Sequence, residues 1–358
     1  MNDPMPSGGR PPQTPQRPEP AGRGRVLVVE DDQDTARFEV EVLRLGGFDV
    51  THTPDPAVAL SRAREGWDLI VTDVQMPGMS GLDLLEALRR VAPDLPVAVV
   101  TAYATVNNVV TALRSRADEF LQKPLMPDKL LATATALVDK GRAAREAARV
   151  VVLAIGAHPS DAEAGAAGTL AAHSDMGHEI ALLTLSRGAR DGEQDRRAAH
   201  AREAAGILGA TLYLEDLESA RISEGDPTIG IIGDVVAAIR PTTVYTHSMR
   251  DVHSDHRNAH RAAMVAIRAI GRVYCYQSPS ATVDFRPTRF VGIDRQLDRK
   301  LGAIGVYAES GEAHEDMEPD LIRSIARSWS RFADGRYAEP FEVIRDRADV
   351  AAGQQAHA

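Results

Sequence analysis

Short apolar runs alternate along this chain with stretches whose apolar positions recur every three or four residues. From Arg25 the runs Val26–Val29, Leu69–Thr72, Val97–Val100 and Glu119–Leu121 read as strands. Helices read between and after them: one ending near Leu45, one from Gly81, one from about Thr105 and one from Pro127. Strands that are apolar throughout are buried on both faces, and their alternation with helices predicts a parallel sheet covered on each side. A second series follows at Val150–Ile155, Ile180–Leu185, Thr211–Leu214, Thr243–Thr246, Val273–Tyr276 and Phe290–Ile293. The segment QSPSATVDFRPTRF reads as a substrate-lining loop and edge strand. Residues 294–347 read as two or three amphipathic helices, with Trp329 and Phe332 as core.

The helix from Pro127 continues through GRAAREAAR, whose Ala and Arg favour helix and contain no breaker after Gly141. The pattern thus divides the chain into a disordered Pro-rich tail (1–24), a first domain (25–140), a helical linker (141–149), a second domain (150–347) and a frayed tail (348–358). A length of 358 residues suits two such domains. Both read as α/β, doubly wound parallel sheets.

The net charge of −10 denies the chain a global attraction to phosphate backbones, so no nucleic-acid partner is expected. Cys275, the single cysteine, excludes a disulfide framework and any multi-cysteine metal site. No apolar stretch is long enough to span a bilayer, so no membrane insertion and a cytoplasmic location are expected.

Residues just past the carboxyl ends of parallel strands converge on one crevice. In the first domain these are Glu30-Asp31-Asp32, Asp73, Thr101 and Lys123. Converging carboxylates repel one another, and a hard divalent cation relieves them. A lysine and a hydroxyl beside them suit a phosphoryl group carried on one carboxylate. With VLVVEDD, DLIVTDVQMPGMSGLDLL, VAVVTAYAT and ADEFLQKPL, residues 24–140 resemble the receiver domain of two-component response regulators, a flavodoxin-like fold. The resemblance implies that Asp73 is the phosphoacceptor and that Glu30, Asp31, Asp73 and the Gln75 carbonyl hold Mg²⁺. It also places Thr101 and Lys123 on the phosphoryl group, Phe120 at the aromatic switch position, and a sensor histidine kinase as partner.

In the second domain, GAHPSDAEAG follows one strand and HSMRDVHSDHRNAH another. Two histidines and an aspartate from two strand ends make a three-ligand site with an open position, the arrangement of catalytic zinc. Residues 149–310 resemble the LmbE-like, or PIG-L-type, zinc-dependent de-N-acetylases, a Rossmann-like fold whose substrates are N-acetylated amino sugars. The resemblance implies Zn²⁺ on His158, Asp161 and His256, and His253 as the acid beside the scissile amide. Asp251 or Asp255 would orient His253, and Arg187 would face the substrate. One position departs from the pattern, because Ser160 stands where the family carries its general base, and a hydroxyl cannot take a proton near neutrality. Catalysis would then run slowly, pass through Glu163 or Asp255, or be absent. The reading is a response regulator controlling a zinc-dependent deacetylase. The alternative is a pseudo-deacetylase that serves as a ligand- or protein-binding signalling module. Homodimerisation is left open.

Overall fold

The computed structural model describes residues 22–102, 117–188, 194–308 and 317–347. The helix expected from about Thr105 and nearly all of both tails lie outside the described residues. The chain divides into two compact units, 1–148 and 149–358.

The first unit runs β1 (Arg25–Val29), α1 (Gln33–Leu45), β2 (Asp49–Thr53), α2 (Pro56–Ser61), β3 (Leu69–Asp73), α3 (Gly81–Val91), β4 (Val97–Thr101), β5 (Glu119–Gln122) and α4 (Pro127–Ala148). Its five strands are parallel, in the order β2-β1-β3-β4-β5. Successive β1 side chains feed opposite cores. Val26 and Val28 meet α1 and α4 through Val42, Leu43 and Leu137, whereas Leu27 and Val29 meet α2 and α3 through Ala59, Leu84 and Leu88. The strand order reverses direction between β1 and β3, which opens the crevice beyond Val29 and Asp73. Gly81 is dictated by this geometry, because a Cβ there would lie 1.9 Å from the Asp73 carbonyl oxygen. The β2 and α2 elements were not apparent from sequence. The DVTHT strand is a polar sheet edge, and PAVALS is too short to show a helical period.

Residues 141–148, read from sequence as linker, complete α4. Gly141 packs on Pro96, and Arg142 and Arg145 pair with Asp68 at 3.2 and 2.5 Å.

The second unit runs β6 (Val151–Gly156), α5 (Asp161–Asp175), β7 (Glu179–Ser186), α6 (Gln194–Leu208), β8 (Ala210–Leu217), α7 (Thr228–Ile239), β9 (Thr243–His247), α8 (Ser254–Ala266), β10 (Arg272–Tyr276), β11 (Arg289–Gly292), α9 (Leu297–Ala308), α10 (Pro319–Trp329) and β12 (Ala338–Asp346). The sheet order is β11-β12-β10-β9-β6-β7-β8. Val152 and Ala154 of β6 pack under α5, and Leu153 and Ile155 pack over α7 and α8. The order reverses between β6 and β9, so the loops carrying His158 and His247–His256 meet there.

Two expectations are corrected. The 294–347 segment is not wholly helical, because β12 inserts between β10 and β11, antiparallel to both, and the second sheet is therefore mixed. Glu339 and Pro340, both buried, hide the strand's pattern, and Val343 and Ile344 are exposed. Phe332 is not core: it is 53 % exposed, and it stacks with Phe290 and Trp329 at ring separations of 4.9 and 6.1 Å.

Candidate functional site

In the first unit, β1, β3 and β5 bring Glu30, Asp73 and Lys123 together. The Lys123 ammonium donates to Glu30 Oε2 at 2.8 Å and lies 3.2 Å from Asp73 Oδ1. Glu30 and Asp73 are buried and Asp31 is exposed, and each offers an oxygen within 4.8 Å of the others. Burial pushes the Glu30 carboxyl above its ordinary value, opposed by its bond from Lys123. Burial likewise disfavours the charge on Lys123, yet the two acids hold its pKa up. The Gln75 N–H donates to Asp73 Oδ2 at 3.1 Å, which turns this loop over the carboxylate. Thr101 is buried at the end of β4 and accepts the Lys123 N–H on its carbonyl at 2.8 Å. Phe120, half-buried on β5, packs against the α2/α3 side of the core. Asp32 caps α1, accepting the Thr35 N–H at 2.8 Å.

Glu39 has no counterpart in the sequence reading. It lies on α1 at 1 % exposure, and its Oε1 has no hydrogen-bond partner. Burial first, and then the neighbouring Glu30, push it up to about 8.

In the second unit, the β6–α5 loop turns sharply at Ser160, whose φ of +81° is left-handed and strained for a residue with a Cβ. The turn folds Asp161 back onto the His158 N–H at 2.8 Å. Around Asp161 Oδ2 stand His247 Nε2 at 3.1 Å, His256 Nε2 at 3.4 Å and His158 Nδ1 at 3.5 Å. His158, Asp161 and His256 can each turn one donor atom to within 4.8 Å of the other two. The far nitrogen of each histidine is anchored: His158 Nε2 on Asp255 at 3.0 Å and His256 Nδ1 on Asp251 at 2.9 Å. Such anchoring fixes the tautomer that leaves the near nitrogen free to coordinate.

The donor set fits a divalent cation. Burial disfavours charge on both imidazoles, yet the acids around them raise His158 to about 9 and His256 to about 10. Burial would raise Asp161, but His256 and His247 hold it well below the ordinary range. The buried carboxylates therefore demand positive charge, and the imidazoles supply it as protons.

The roles expected of Asp251 and Asp255 are corrected. Neither accepts a ring proton from His253, because His253 caps α8 and its Nδ1 accepts the Asp255 N–H at 3.2 Å. Its Nε2 is left as the proton-bearing atom. The ring stacks on His256 at 4.5 Å, and burial and the flanking histidines lower its pKa. Asp255 is also engaged by the Ala220 and Ile222 N–H groups at 2.6 and 3.3 Å, while Glu163 accepts the Tyr307 hydroxyl at 2.8 Å. Both substitute bases are thus already bonded. Arg187 follows β7 and faces Asp216 at 3.5 Å and Asp195 at 3.9 Å.

His247 and Ser278 were not assigned roles from sequence. His247 is fully buried and stacks on His256 at 4.0 Å, and Ser278 donates to Asp251. Both stand at or just past strand ends, of β9 and β10, which is the signal that could have marked them.

Comparison with known proteins gives two family matches: residues 26–135 to the response regulator receiver domain and residues 153–267 to GlcNAc-PI de-N-acetylase (PIG-L). The transcriptional regulatory protein PrrA of Mycobacterium tuberculosis is 41 % identical over 115 residues, 32 % of this chain and 49 % of that protein. The chain spans about half the length of the curated relatives it matches. Among solved structures, the conserved protein TT1542 from Thermus thermophilus is 23 % identical, covering 56 % of this chain and 96 % of that one, with a TM-score of 0.49. N,N'-diacetylchitobiose deacetylase from Pyrococcus horikoshii is 19 % identical, covering 54 % and 83 %, with a TM-score of 0.47.

Proposed function

Since one chain carries a response regulator receiver domain and a PIG-L (LmbE-like) de-N-acetylase domain, we propose that phosphorylation of Asp73 governs a zinc-dependent amidohydrolase acting on an N-acetylated amino sugar. The observation that carries the reading is the anchoring of His158 and His256 by separate buried aspartates, which leaves their near nitrogens turned to Asp161. A receiver domain implies a phosphodonor such as a sensor histidine kinase.

Glu30, Asp31 and Asp73 would hold Mg²⁺, which would offset the charge that an incoming phosphoryl group meets. Lys123, which already bridges Glu30 and Asp73, moves to a phosphoryl oxygen, and Thr101 offers its hydroxyl. In the second domain, His158, Asp161 and His256 would hold a zinc ion, which would supply Lewis-acid chemistry there. His253 presents its Nε2–H to the acyl oxygen as that atom gains charge. Arg187, half-exposed, offers its remaining donors to substrate hydroxyls.

A second reading has its own support. Ser160 cannot act as a base, and Asp255 and Glu163 are bonded elsewhere. On that reading the domain binds its ligand and signals without turnover.

The experiment that tests both is zinc analysis of the purified chain, with deacetylation of N-acetyl sugars assayed with and without an acyl-phosphate mimic. Stoichiometric zinc with mimic-dependent acetate release supports the first reading. Stoichiometric zinc without acetate release supports the second, and a chain that binds no zinc refutes both.

A further inference from the structure

The loop after β10 carries Ser278-Pro279-Ser280, part of the segment read from sequence as lining a substrate. Ser278 is buried and Ser280 half-buried, and both donate their hydroxyls to Asp251, Ser278 to Oδ2 and Ser280 to Oδ1 at 2.7 Å. The remaining donors on this carboxylate are the His256 Nδ1–H, on Oδ2 at 2.9 Å, and the His253 N–H, on Oδ1 at 2.8 Å. A carboxylate offers about four lone-pair sites, so protein donors fill Asp251 completely. Rotating it would break every one of these bonds at once.

The backbone explains how two serines from a distant strand arrive there. Tyr276 ends β10 in the crevice, with its hydroxyl donated to the Ile155 carbonyl at 2.8 Å. Beyond it, residues 250–252 and 280–282 pair as a short antiparallel ribbon. The Val252 N–H donates to the Ser280 carbonyl at 3.1 Å and the Thr282 N–H to the Arg250 carbonyl at 2.8 Å, on either side of the Asp251–Ala281 bridge. Pro279 biases Ser278 towards extended backbone, in which side chains two apart share a face. At the start of the loop the Trp329 N–H donates to Gln277 Oε1 at 2.8 Å, which ties the segment to α10.

The consequence falls on His256. Its Nε2 faces Asp161 at 3.4 Å and its Nδ1 faces Asp251, with the Ser280 oxygen a further neighbour of Nδ1 at 3.2 Å. In the metal-free chain two acids hold the ring from opposite sides. Once a cation takes Nε2 and Asp161, Asp251 alone aims the imidazole, so the serines matter more to the loaded chain, and the difference is read as affinity.

We propose that Ser278 and Ser280 are positioning residues of the metal group, a clamp that holds Asp251 so that His256 presents Nε2 to the cation. The proposal rests on the zinc reading above, and its test separates the two.

The test uses the full chain, stripped of metal and titrated with Zn²⁺ against a chromophoric chelator, with Co²⁺ as a spectroscopic probe. Removing a direct partner of a metal-bound histidine costs about 10- to 100-fold in affinity, and the serines act one bond further out. Ser278→Ala and Ser280→Ala are each expected to weaken Zn²⁺ about three- to tenfold, and the double variant about 10- to 100-fold. The visible absorption of the Co²⁺ form should change with them. Ser280→Thr, which keeps the hydroxyl at a half-buried position, should restore both affinity and spectrum. If Ser278→Ala misfolds by circular dichroism, the Ser280 variants decide alone. Parental affinity and spectrum in the alanine variants, or Ser280→Thr no better than Ser280→Ala, would overturn the clamp and leave the zinc reading standing. Lower affinity with an unchanged Co²⁺ spectrum and a matching fall in the melting temperature of the metal-free chain would overturn it too, because it would mark general support of the fold. A wild type that binds no Zn²⁺ would overturn the zinc reading, and the clamp with it.

Discussion

Replacing Glu39 by Gln should flatten the fall in receiver stability with rising pH. Glu39 is enclosed on α1 with one unpartnered oxygen, and its pKa is about 8 against an ordinary 4.5. The folded state therefore keeps this proton over a range in which the unfolded chain releases it. The associated stability is full below 4.5 and is lost as pH rises to 8. At about 1.4 kcal/mol per pH unit, the wild type loses about 3 kcal/mol by pH 7 and about 5 kcal/mol by pH 9 through this group. The amide cannot ionise, so its own unpartnered atoms add a cost of about 1–3 kcal/mol that is the same at every pH. Urea unfolding followed by Trp67 emission, in a Trp329→Phe background without Mg²⁺, measures the receiver alone. The difference in stability between Glu39→Gln and the parent should grow in the variant's favour from pH 5 to pH 8.5. Parallel curves would show that Glu39 is paired or already ionised, and would refute the argument from burial.

Acetyl phosphate with Mg²⁺ should label the wild type and leave Asp73→Asn unlabelled; equal labelling, read by phosphate-affinity electrophoresis, would remove Asp73 as acceptor. His256→Ala should lose zinc by elemental analysis, and Asp251→Asn should weaken zinc about 10- to 100-fold by loosening His256. His253→Ala should keep zinc but lose hydrolysis, and a matching loss of metal would mean that His253 is itself a ligand. Ser160→Asp should raise acetate release about 10- to 10³-fold by placing a carboxylate beside the attacking water. A wild type equally fast would mean that another group already serves as base.

Much of this architecture could be read from the sequence wherever a residue's role follows from its place on a strand. Glu30, Asp73 and Lys123, and likewise His158 and His256, stand beyond strands whose apolar runs are unmistakable, and the parallel topology gathers them. What escaped depends on partners far away in the chain. Asp255 could be seen beside His253, but its bond to His158 spans 97 positions. Nothing local in AEPFEVIRD announces a strand, because Glu339 is buried only by virtue of Lys300 and the α5 amides. The helical period of LIRSIARSW was evident, yet Phe332, just beyond it, lies exposed against the half-buried Trp329, a distinction that periodicity cannot make.

The position of β12 bears on how the protein is made. Every residue of the metal group has been synthesised by His256, but the strand that separates β10 from β11, and that carries Glu339, is complete only about 90 residues later. At roughly 5–20 residues per second this is an interval of roughly 4–20 s. Within it β10, once made, offers an open edge until β12 arrives, and the Gly168 and Thr169 amides, later joined by Lys300, await their carboxylate. The first unit, complete by Ala148, faces no such wait, so it is finished before the second can close.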